Sequence, residues 1–226
     1  MSVAPRADDA GRNLSDVARD RFMQALFAHR IELGAFLSQA ELVKILGVPV
    51  GPLRDALRTL QAEGWLTIHA RSGIELRKPD LALIRNSYQL RLILERAAVR
   101  AYAELAPLAH IEAQEQRHRA LIERIEGKEL SRDMALAYES VDFRFHVEVI
   151  AILSNPLLET AYKQAMGFVQ LIRLDRTFKL ATPQVIRTMH EHLTILVACK
   201  KRDPQAAVAA LETHIALAMQ RAIGFF

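Results

Sequence analysis

The chain has 226 residues with one cysteine, and 51% of its residues are hydrophobic. This content is enough for a globular core, and a single cysteine excludes an intramolecular disulfide framework and a cysteine-rich zinc site. A formal net charge of +4 and a pI near 9.4 permit binding to nucleic acid, but proteins of many other functions share them.

The N-terminal segment MSVAPRADDAGRNLSD lacks the apolar stretch of a signal peptide, and no run of about 18 apolar residues follows it. We therefore expect a cytoplasmic protein without a membrane partner, in which residues 1–13 form a flexible arm. Glycine and proline are scarce, and apolar residues recur with a helical period along most of the sequence. This pattern predicts a mainly α fold.

Two helices and a hairpin are predicted next. Ser38 and Glu41 have the spacing of a capping box at the start of one helix, which Gly47 is expected to end. After the short connection GVPVG, a second helix is expected from Pro52 until Gly64. The segment GWLTIHARSGIELRK then places β-prone residues on both sides of a turn, which predicts a hairpin. No other segment indicates a strand pair.

Helix, tight turn, helix and hairpin make a winged helix-turn-helix, whose second helix enters the major groove of DNA. The stretch LSQAELVKILGVPVGPLRDALRTLQAEGWLTI resembles the DNA-binding domain of the GntR family of bacterial transcription regulators, and PLRDALRTLQAEGWL is its most specific part. The resemblance covers about residues 17–78. It implies that a domain of residues 14–78 binds double-stranded operator DNA as a homodimer, because such modules contact two half-sites related by two-fold symmetry.

The expected DNA contacts lie on the second helix and on the hairpin. Arg54 matches the arginine with which the family contacts bases or phosphates, and Arg58 lies one turn away. The sequence departs from the family at Ala40, where many members have arginine, and at the PVGP run, where most have Ser-Arg-Thr-Pro. Binding should therefore depend more on the remaining contacts. The predicted set is Ser38, Gly51, Arg54, Arg58, His69, Arg71 and Gly73, and the alternative for its charged members is a solvated surface.

Residues 79–226 are predicted to form a second domain of six helices, an all-α bundle. Four prolines and one glycine interrupt the helical pattern, at Pro107, Gly127, Pro156, Pro183 and Pro204. The resulting helices are expected near residues 81–105, 107–126, 131–154, 156–178, 183–201 and 204–224.

Polar residues fall on the expected inner faces of three of these helices. Asp142 and His146, four residues apart in SVDFRFHVEVI, lie one above the other on an otherwise apolar stripe. Buried polar groups need partners, and His192 and His214 fall on the apolar faces of the last two helices. One carboxylate and three imidazoles suit a divalent metal ion, with Zn²⁺ or Ni²⁺ favoured and Mn²⁺ or Fe²⁺ also compatible.

The same residues resemble the effector-binding FCD domain of the FadR subfamily, whose pattern is Asp-x-x-x-His, then Glu-His, then a final His. DFRFH, the pair Glu191 and His192, and His214 match this pattern, and the resemblance covers about residues 80–222. Six helices are similar to the shorter VanR-type branch. The resemblance implies that Asp142, His146, His192 and His214 bind the metal. The alternative is that the histidines are hydrogen-bonded core residues without metal.

Effector binding has a weaker signal. Arg91 and Glu95 lie one turn apart and match an arginine and a glutamate typical of the first bundle helix of the family. An inward arginine beside a metal would favour a small carboxylate effector, whereas the alternative is an ordinary intrahelical ion pair. Arg173 is a second candidate, and His118 is left as a core residue.

These patterns predict a ligand-responsive regulator, a repressor that a small organic acid releases from DNA, and not an enzyme. A metalloenzyme is one alternative, because such a metal site with an open position could activate water. A direct sensor of the metal ion is another. The presence of a DNA-binding module and the lack of a clear general base favour the regulator.

Overall fold

The computed structural model describes residues 11–70, 72–174 and 181–224. In this part of the chain there are nine helices and three strands, and they form two compact units that divide between Pro79 and Asp80. The mainly α fold that the sequence predicts, a winged helix-turn-helix followed by a six-helix bundle, is confirmed. No described helix is both long and apolar enough to span a membrane.

The N-terminal unit contains α1 (Leu14–Phe27), β1 (Phe36–Leu37), α2 (Gln39–Leu46), α3 (Val50–Ala62), β2 (Leu66–His69) and β3 (Gly73–Leu76). Helix α1 begins after Asn13, whose side chain accepts a hydrogen bond from the Ser15 amide. The predicted arm therefore ends at a helix cap, and its first ten residues lie outside the described part of the chain.

The helix-turn-helix is set by local signals. At the start of α2, Ser38 Oγ accepts from the Glu41 amide at 3.2 Å and Glu41 Oε2 accepts from the Ser38 amide at 2.8 Å, so the predicted capping box is present. Gly47 ends α2 in the left-handed conformation, with φ of 63°. Helix α3 buries Leu53, Ala56, Leu57 and Leu60, so its opposite face is left exposed.

The wing is a three-stranded antiparallel sheet in the order β1-β3-β2. Strand β3 pairs with β2, with Ile68 opposite Ile74, and also with β1, with Leu37 opposite Ile74. The predicted hairpin is present as β2 and β3, but the prediction that it is the only strand pair is wrong. Strand β1 has two residues, which is too short to show the alternation from which a strand is recognised in a sequence.

The C-terminal unit consists of α4 (Leu81–Leu105), α5 (Leu108–Ile125), α6 (Arg132–Ala151), α7 (Pro156–Leu174), α8 (Thr182–Lys200) and α9 (Pro204–Ile223). The predicted helices agree with these bounds, although α6 ends three residues earlier than expected and residues 175–178 are not among those described. Helix α4 contacts α6, α7, α8 and α9, and α5 contacts α6 and α8.

The core of this bundle is apolar except at its centre. Among the described residues, the buried charged and imidazole side chains all belong to the bundle: Arg91, Glu95, His118, Asp142, His146, His192 and His214, each with no exposed surface. Buried ionisable groups are costly unless they are paired, and they are common at functional sites. This cluster is therefore the candidate functional site of the bundle.

Gly73 is the residue that lets β1 join the wing. It has φ of +107°, and a Cβ atom at this position would lie 2.8 Å from Leu37 O in β1. We expect Gly73→Ala to destabilise the N-terminal unit by about 1–3 kcal/mol, because alanine is strained in this conformation and would push β1 away. Native-state hydrogen exchange of the full chain measures this loss.

Gly51→Ala is the matched control. Gly51 lies within α3, and a Cβ there would meet no described atom within 4 Å. Alanine should therefore stabilise α3 by about 0.5–1 kcal/mol. Equal protection of the wing amides in the two variants would show that the fold does not need glycine at position 73.

Candidate functional site

The exposed face of α3 carries the two predicted arginines. Arg54 Nε donates a hydrogen bond to Gln39 Oε1 at 2.9 Å, which holds its guanidinium near the start of α2. Arg58 NH1 lies 3.9 Å from Asp55 Oδ1, and both of these side chains are well exposed. The helix thus presents two cations on the side opposite its buried leucines.

The start of α3 is suited to an anion. Its N-cap is Pro49, and no side chain among the described residues caps it, so its first backbone amides are free to donate. Gly51 adds no side chain to block access to these amides. Ser38, by contrast, uses its hydroxyl within the capping box, where Oγ donates to Glu41 Oε2 at 2.7 Å.

On the wing, His69 is held by two neighbours. Its Nε2 lies 2.8 Å from Glu75 Oε2, and its ring stacks on Phe36 with a centroid distance of 5.6 Å. Phe36 is 57% exposed and belongs to β1, so sequence reasoning had no signal for this aromatic surface. Arg71 lies outside the described residues.

The centre of the bundle brings together all of the predicted metal and effector residues. Arg91 and Glu95 come from α4, Asp142 and His146 from α6, Arg173 from α7, His192 from α8 and His214 from α9. Each of the three histidines offers one ring nitrogen, and these nitrogens lie within 4.8 Å of one another. His190, two residues before His192, is exposed, as its place on the helix predicts.

Carboxylates orient two of the rings. His146 Nδ1 lies 2.7 Å from Glu95 Oε2, and His214 Nδ1 lies 2.8 Å from Glu191 Oε2. An ionised carboxylate only accepts hydrogen bonds, so each Nδ1 carries the hydrogen and each Nε2 keeps a lone pair. Metal-binding histidines typically have a carboxylate partner of this kind.

The three rings are neutral at neutral pH. Burial lowers the pKa of His146, and the nearby Arg91 guanidinium lowers it further. Burial and the neighbouring histidines hold the pKa of His192 well below its usual value, and burial lowers the pKa of His214 to about 4. Neutral imidazole is the form that binds a metal ion.

Asp142 is the anion of the cluster. Arg173 NH1, on a partly exposed side chain, donates to Asp142 Oδ2 at 2.6 Å. Burial alone would raise the pKa of Asp142, but the Arg173 guanidinium and the other nearby cations outweigh it and lower this pKa. The second oxygen, Oδ1, is buried and has no hydrogen-bond partner among the described residues, and it lies 3.7 Å from His192 Nε2.

Arg91 and Glu95 form an intrahelical ion pair that is also fully buried. Arg91 Nε donates to Glu95 Oε1, which also accepts from Tyr162 OH at 3.0 Å. Burial alone would raise the pKa of Glu95, but Arg91 and His146 lower it to about 2. Arg91 NH2 lies 2.5 Å from His146 Nε2, and NH1 has no hydrogen-bond partner in the described part of the chain.

The donor set fits a divalent ion. His192 Nε2 and His214 Nε2 are 3.3 Å apart. Two nitrogens bound to one tetrahedral ion at about 2.0–2.1 Å are about 3.3–3.4 Å apart. Three imidazole nitrogens and one carboxylate oxygen are ligands that Zn²⁺ and Ni²⁺ accept.

Comparison with known proteins agrees with both units. Residues 14–76 match the gntR family of bacterial regulatory proteins, and residues 86–217, more than half of the chain, match the FCD domain. The chain is 30% identical to the Nta operon transcriptional regulator of Aminobacter aminovorans over 183 residues, which are 80% of this chain and 83% of that protein. The chain belongs to the GntR family. The resemblance stated from the sequence is therefore confirmed.

Other GntR proteins are similar over most of their length. The HTH-type transcriptional repressor RspR of Escherichia coli strain K12 is 25% identical over 182 residues, or 80% of this chain and 77% of that protein. The crystal structure of a GntR regulator from Rhodococcus sp. RHA1 has the same fold, with a TM-score of 0.74, 15% identity, and coverage of 94% of this chain and 98% of that one. The chain of 226 residues is therefore a DNA-binding transcription regulator of the GntR family. The metalloenzyme alternative is set aside, because the proteins of this family and the relatives found are regulators.

Sequence reasoning missed one residue of the central cluster of this regulator. His118 in α5 is fully buried, and its Nε2 lies 3.0 Å from His192 Nδ1. The available signal was its position on the buried stripe of α5, with Ile111, Gln114 and Leu121. That stripe shows that His118 is internal but not which residue of another helix it meets.

Arg54 is the residue whose loss should affect operator recognition most. We expect Arg54→Ala to weaken binding to operator DNA by about 1–3 kcal/mol more than binding to unrelated DNA, because a guanidinium at this position can donate two hydrogen bonds to a guanine. Fluorescence anisotropy with operator and scrambled duplexes at one salt concentration measures the difference.

Arg58→Ala is the matched control, because Arg58 lies one turn away on the same helix with Asp55 beside it. Its loss should weaken binding to both duplexes by a similar, smaller factor. If Arg54→Ala also weakened both equally, Arg54 would contact phosphate rather than a base.

Proposed function

We propose that this GntR regulator is a homodimeric repressor whose hold on operator DNA is controlled by a small organic acid, bound at a divalent metal ion in the FCD domain. The observation that carries the proposal is the convergence of three neutral imidazoles, one of which lies 3.7 Å from the free oxygen of an ionised aspartate. The homodimer is inferred from the two half-sites that helix-turn-helix modules contact, and the repressor role from relatives such as RspR.

The proposed ligands of the ion are His146 Nε2, His192 Nε2, His214 Nε2 and Asp142 Oδ1. Two arguments support them. A buried carboxylate oxygen without a partner is costly. His192 Nε2 and His214 Nε2, 3.3 Å apart, also have the separation of two ligands of one ion. A cation bound between these atoms would satisfy them, and an ion that expands from four to five ligands could also bind a carboxylate oxygen of the effector.

Arg91 is the proposed second contact for the effector. Its NH1 has no partner among the described residues, and its NH2 shares the His146 lone pair that the ion would take. Loss of that contact would leave two N–H groups of one guanidinium available, which is the geometry for a bidentate bond to a carboxylate. Glu95 keeps the guanidinium in place through Nε, and Arg173 holds Asp142.

The proposed regulation is a linkage between two sites. An acid that binds better to the arrangement unable to hold DNA shifts the population toward it and releases the operator. On the DNA side we assign the contacts to Arg54, Arg58 and the free amides at the start of α3, with Gly51 giving access. The wing would add His69 and Arg71, and Gly73 and Ser38 would act by shaping the wing and capping α2.

Metal content tests the first half of the proposal. Protein prepared without chelator or affinity-column metal should contain about one divalent ion per chain, and His192→Ala should lose most of it because only three ligands remain. Removal of the ion should lower the melting temperature, since an ion that joins α6, α8 and α9 stabilises the fold. Elemental analysis and thermal denaturation measure both.

His190→Ala is the control, because this exposed histidine lies two residues away on the same helix. It should keep wild-type metal content. Metal-free wild-type protein that melts at the same temperature with and without added Zn²⁺ or Ni²⁺ would show that the histidines are ordinary core residues.

A thermal-shift screen of small carboxylic acids, each beside its amide, tests the second half. Acids that bind should stabilise metal-loaded protein by about 2.7 kcal/mol at 100 times their dissociation constant, and their amides should not. The same acids should release operator DNA, and Arg91→Met should respond less. Release of DNA by added Zn²⁺ or Ni²⁺ alone, with no response to any acid, would instead identify a direct metal sensor.

A further inference from the structure

His192 is held differently from the other two histidines of the cluster. Glutamates accept from Nδ1 of His146 and of His214. Nδ1 of His192 instead faces another imidazole, His118 Nε2, at 3.0 Å. Something other than a carboxylate must therefore decide which nitrogen of His192 carries the hydrogen.

We propose that His118 is a positioning residue that sets the tautomer and the orientation of His192, through a chain of hydrogen bonds that begins at the backbone carbonyl of Gln114. The inference rests on the metal site proposed above. It assigns to α5, which supplies no metal ligand, the role of directing the ligand of α8.

The direction of each hydrogen bond in this chain follows from the first acceptor, the carbonyl oxygen of Gln114. His118 Nδ1 lies 2.7 Å from Gln114 O, and a carbonyl oxygen can only accept, so His118 Nδ1 carries the hydrogen. In a neutral ring Nε2 then has the lone pair. We assign it as the acceptor of a hydrogen bond from His192 Nδ1, because this contact of 3.0 Å is shorter than the 3.3 Å contact that His192 Nε2 makes with His214. His192 in turn is left with its lone pair on Nε2, the atom 3.3 Å from His214 Nε2.

Packing fixes the plane of the His192 ring, and the hydrogen bond to His118 fixes its tautomer. Phe145 stacks on His192 with a centroid distance of 4.4 Å and an interplanar angle of 25°. The same phenyl ring meets His118 edge-on, at 5.4 Å and 84°. Gln114 Nε2 also donates to Glu148 Oε2 at 2.7 Å, which ties this turn of α5 to α6.

An apolar residue at position 118 could fill the same volume but could not perform this role. His192 Nδ1–H would then be buried without an acceptor, which is unfavourable. The ring could avoid this cost only by turning or by moving its hydrogen to Nε2, and either change removes the lone pair from the metal site. Supporting hydrogen bonds of metal ligands typically contribute about 10–100-fold in affinity.

Tautomers can be measured without any metal. In chelator-treated wild-type protein labelled with ¹⁵N-histidine, long-range ¹H–¹⁵N spectra should show His118 and His192 protonated on Nδ1 and not on Nε2, with single His→Ala variants giving the assignments. A hydrogen on His192 Nε2 in the wild type would overturn the proposal. This result is independent of whether the protein binds a metal, so it separates the relay from the metal site.

Metal affinity gives the second measurement, with Zn²⁺ as the probe and a chromophoric chelator as the competitor. His118→Phe should weaken Zn²⁺ binding about 10–100-fold, and His118→Gln should recover part of the loss because its amide oxygen can accept from His192 Nδ1. His110→Phe, the same substitution at an exposed site of α5, should bind Zn²⁺ as the wild type does.

Wild-type affinity in a folded His118→Phe variant would overturn the proposal, whereas absence of Zn²⁺ binding by the wild type would overturn the metal site instead. The melting temperature of each metal-free variant checks folding. If His118→Phe does not fold, the wild-type tautomers and the affinity of His118→Gln decide the question.

Discussion

The burial of ionised side chains at the centre of an apolar bundle is the constraint on which the C-terminal unit depends. Transfer of one carboxylate to such a place costs several kcal/mol unless a cation and hydrogen bonds compensate. Three carboxylates meet this requirement with three arginines: Glu95 with Arg91, Asp142 with Arg173, and Glu191 with Arg221. Two of these carboxylates, Glu95 and Glu191, also orient His146 and His214. Stability of the bundle and geometry of the site are thus the same set of contacts.

Among the described residues, two buried atoms of charged side chains remain without a partner, and the proposed ligand binding depends on them. Asp142 Oδ1 requires a positive partner, and Arg91 NH1 requires a negative one. A metal ion together with an organic anion supplies both charges. Because the groups of the proposed site belong to α4, α6, α8 and α9, a ligand bound there would contact four of the six helices of the bundle. This is the physical basis on which ligand binding can favour one packing of the helices over another.

In the N-terminal unit the corresponding constraint is a close approach of backbones. Strand β1 reaches β3 where Gly73 has no Cβ atom, and this contact places Phe36 beside His69. The arginines of α3, in contrast, need no such tertiary contact to be exposed, because the spacing of the leucines already decides which side of the helix is buried. Helix α3 and the wing therefore differ in how far the local sequence determines their structure.

The sequence by itself determined the features that depend on neighbours a few residues away. These include the capping box of α2, the breaks between the bundle helices, and the inward side of each helix, and hence the burial of Asp142, His146, His192 and His214. Helical periodicity is a local property, so it can be recognised without knowledge of the fold. Tertiary structure alone decided which residues of different helices meet. Glu95 beside His146 and His118 beside His192 are 51 and 74 positions apart, and the pairing of β1 with β3 likewise has no local pattern. Such contacts follow from how the elements pack, and no spacing within one element encodes them.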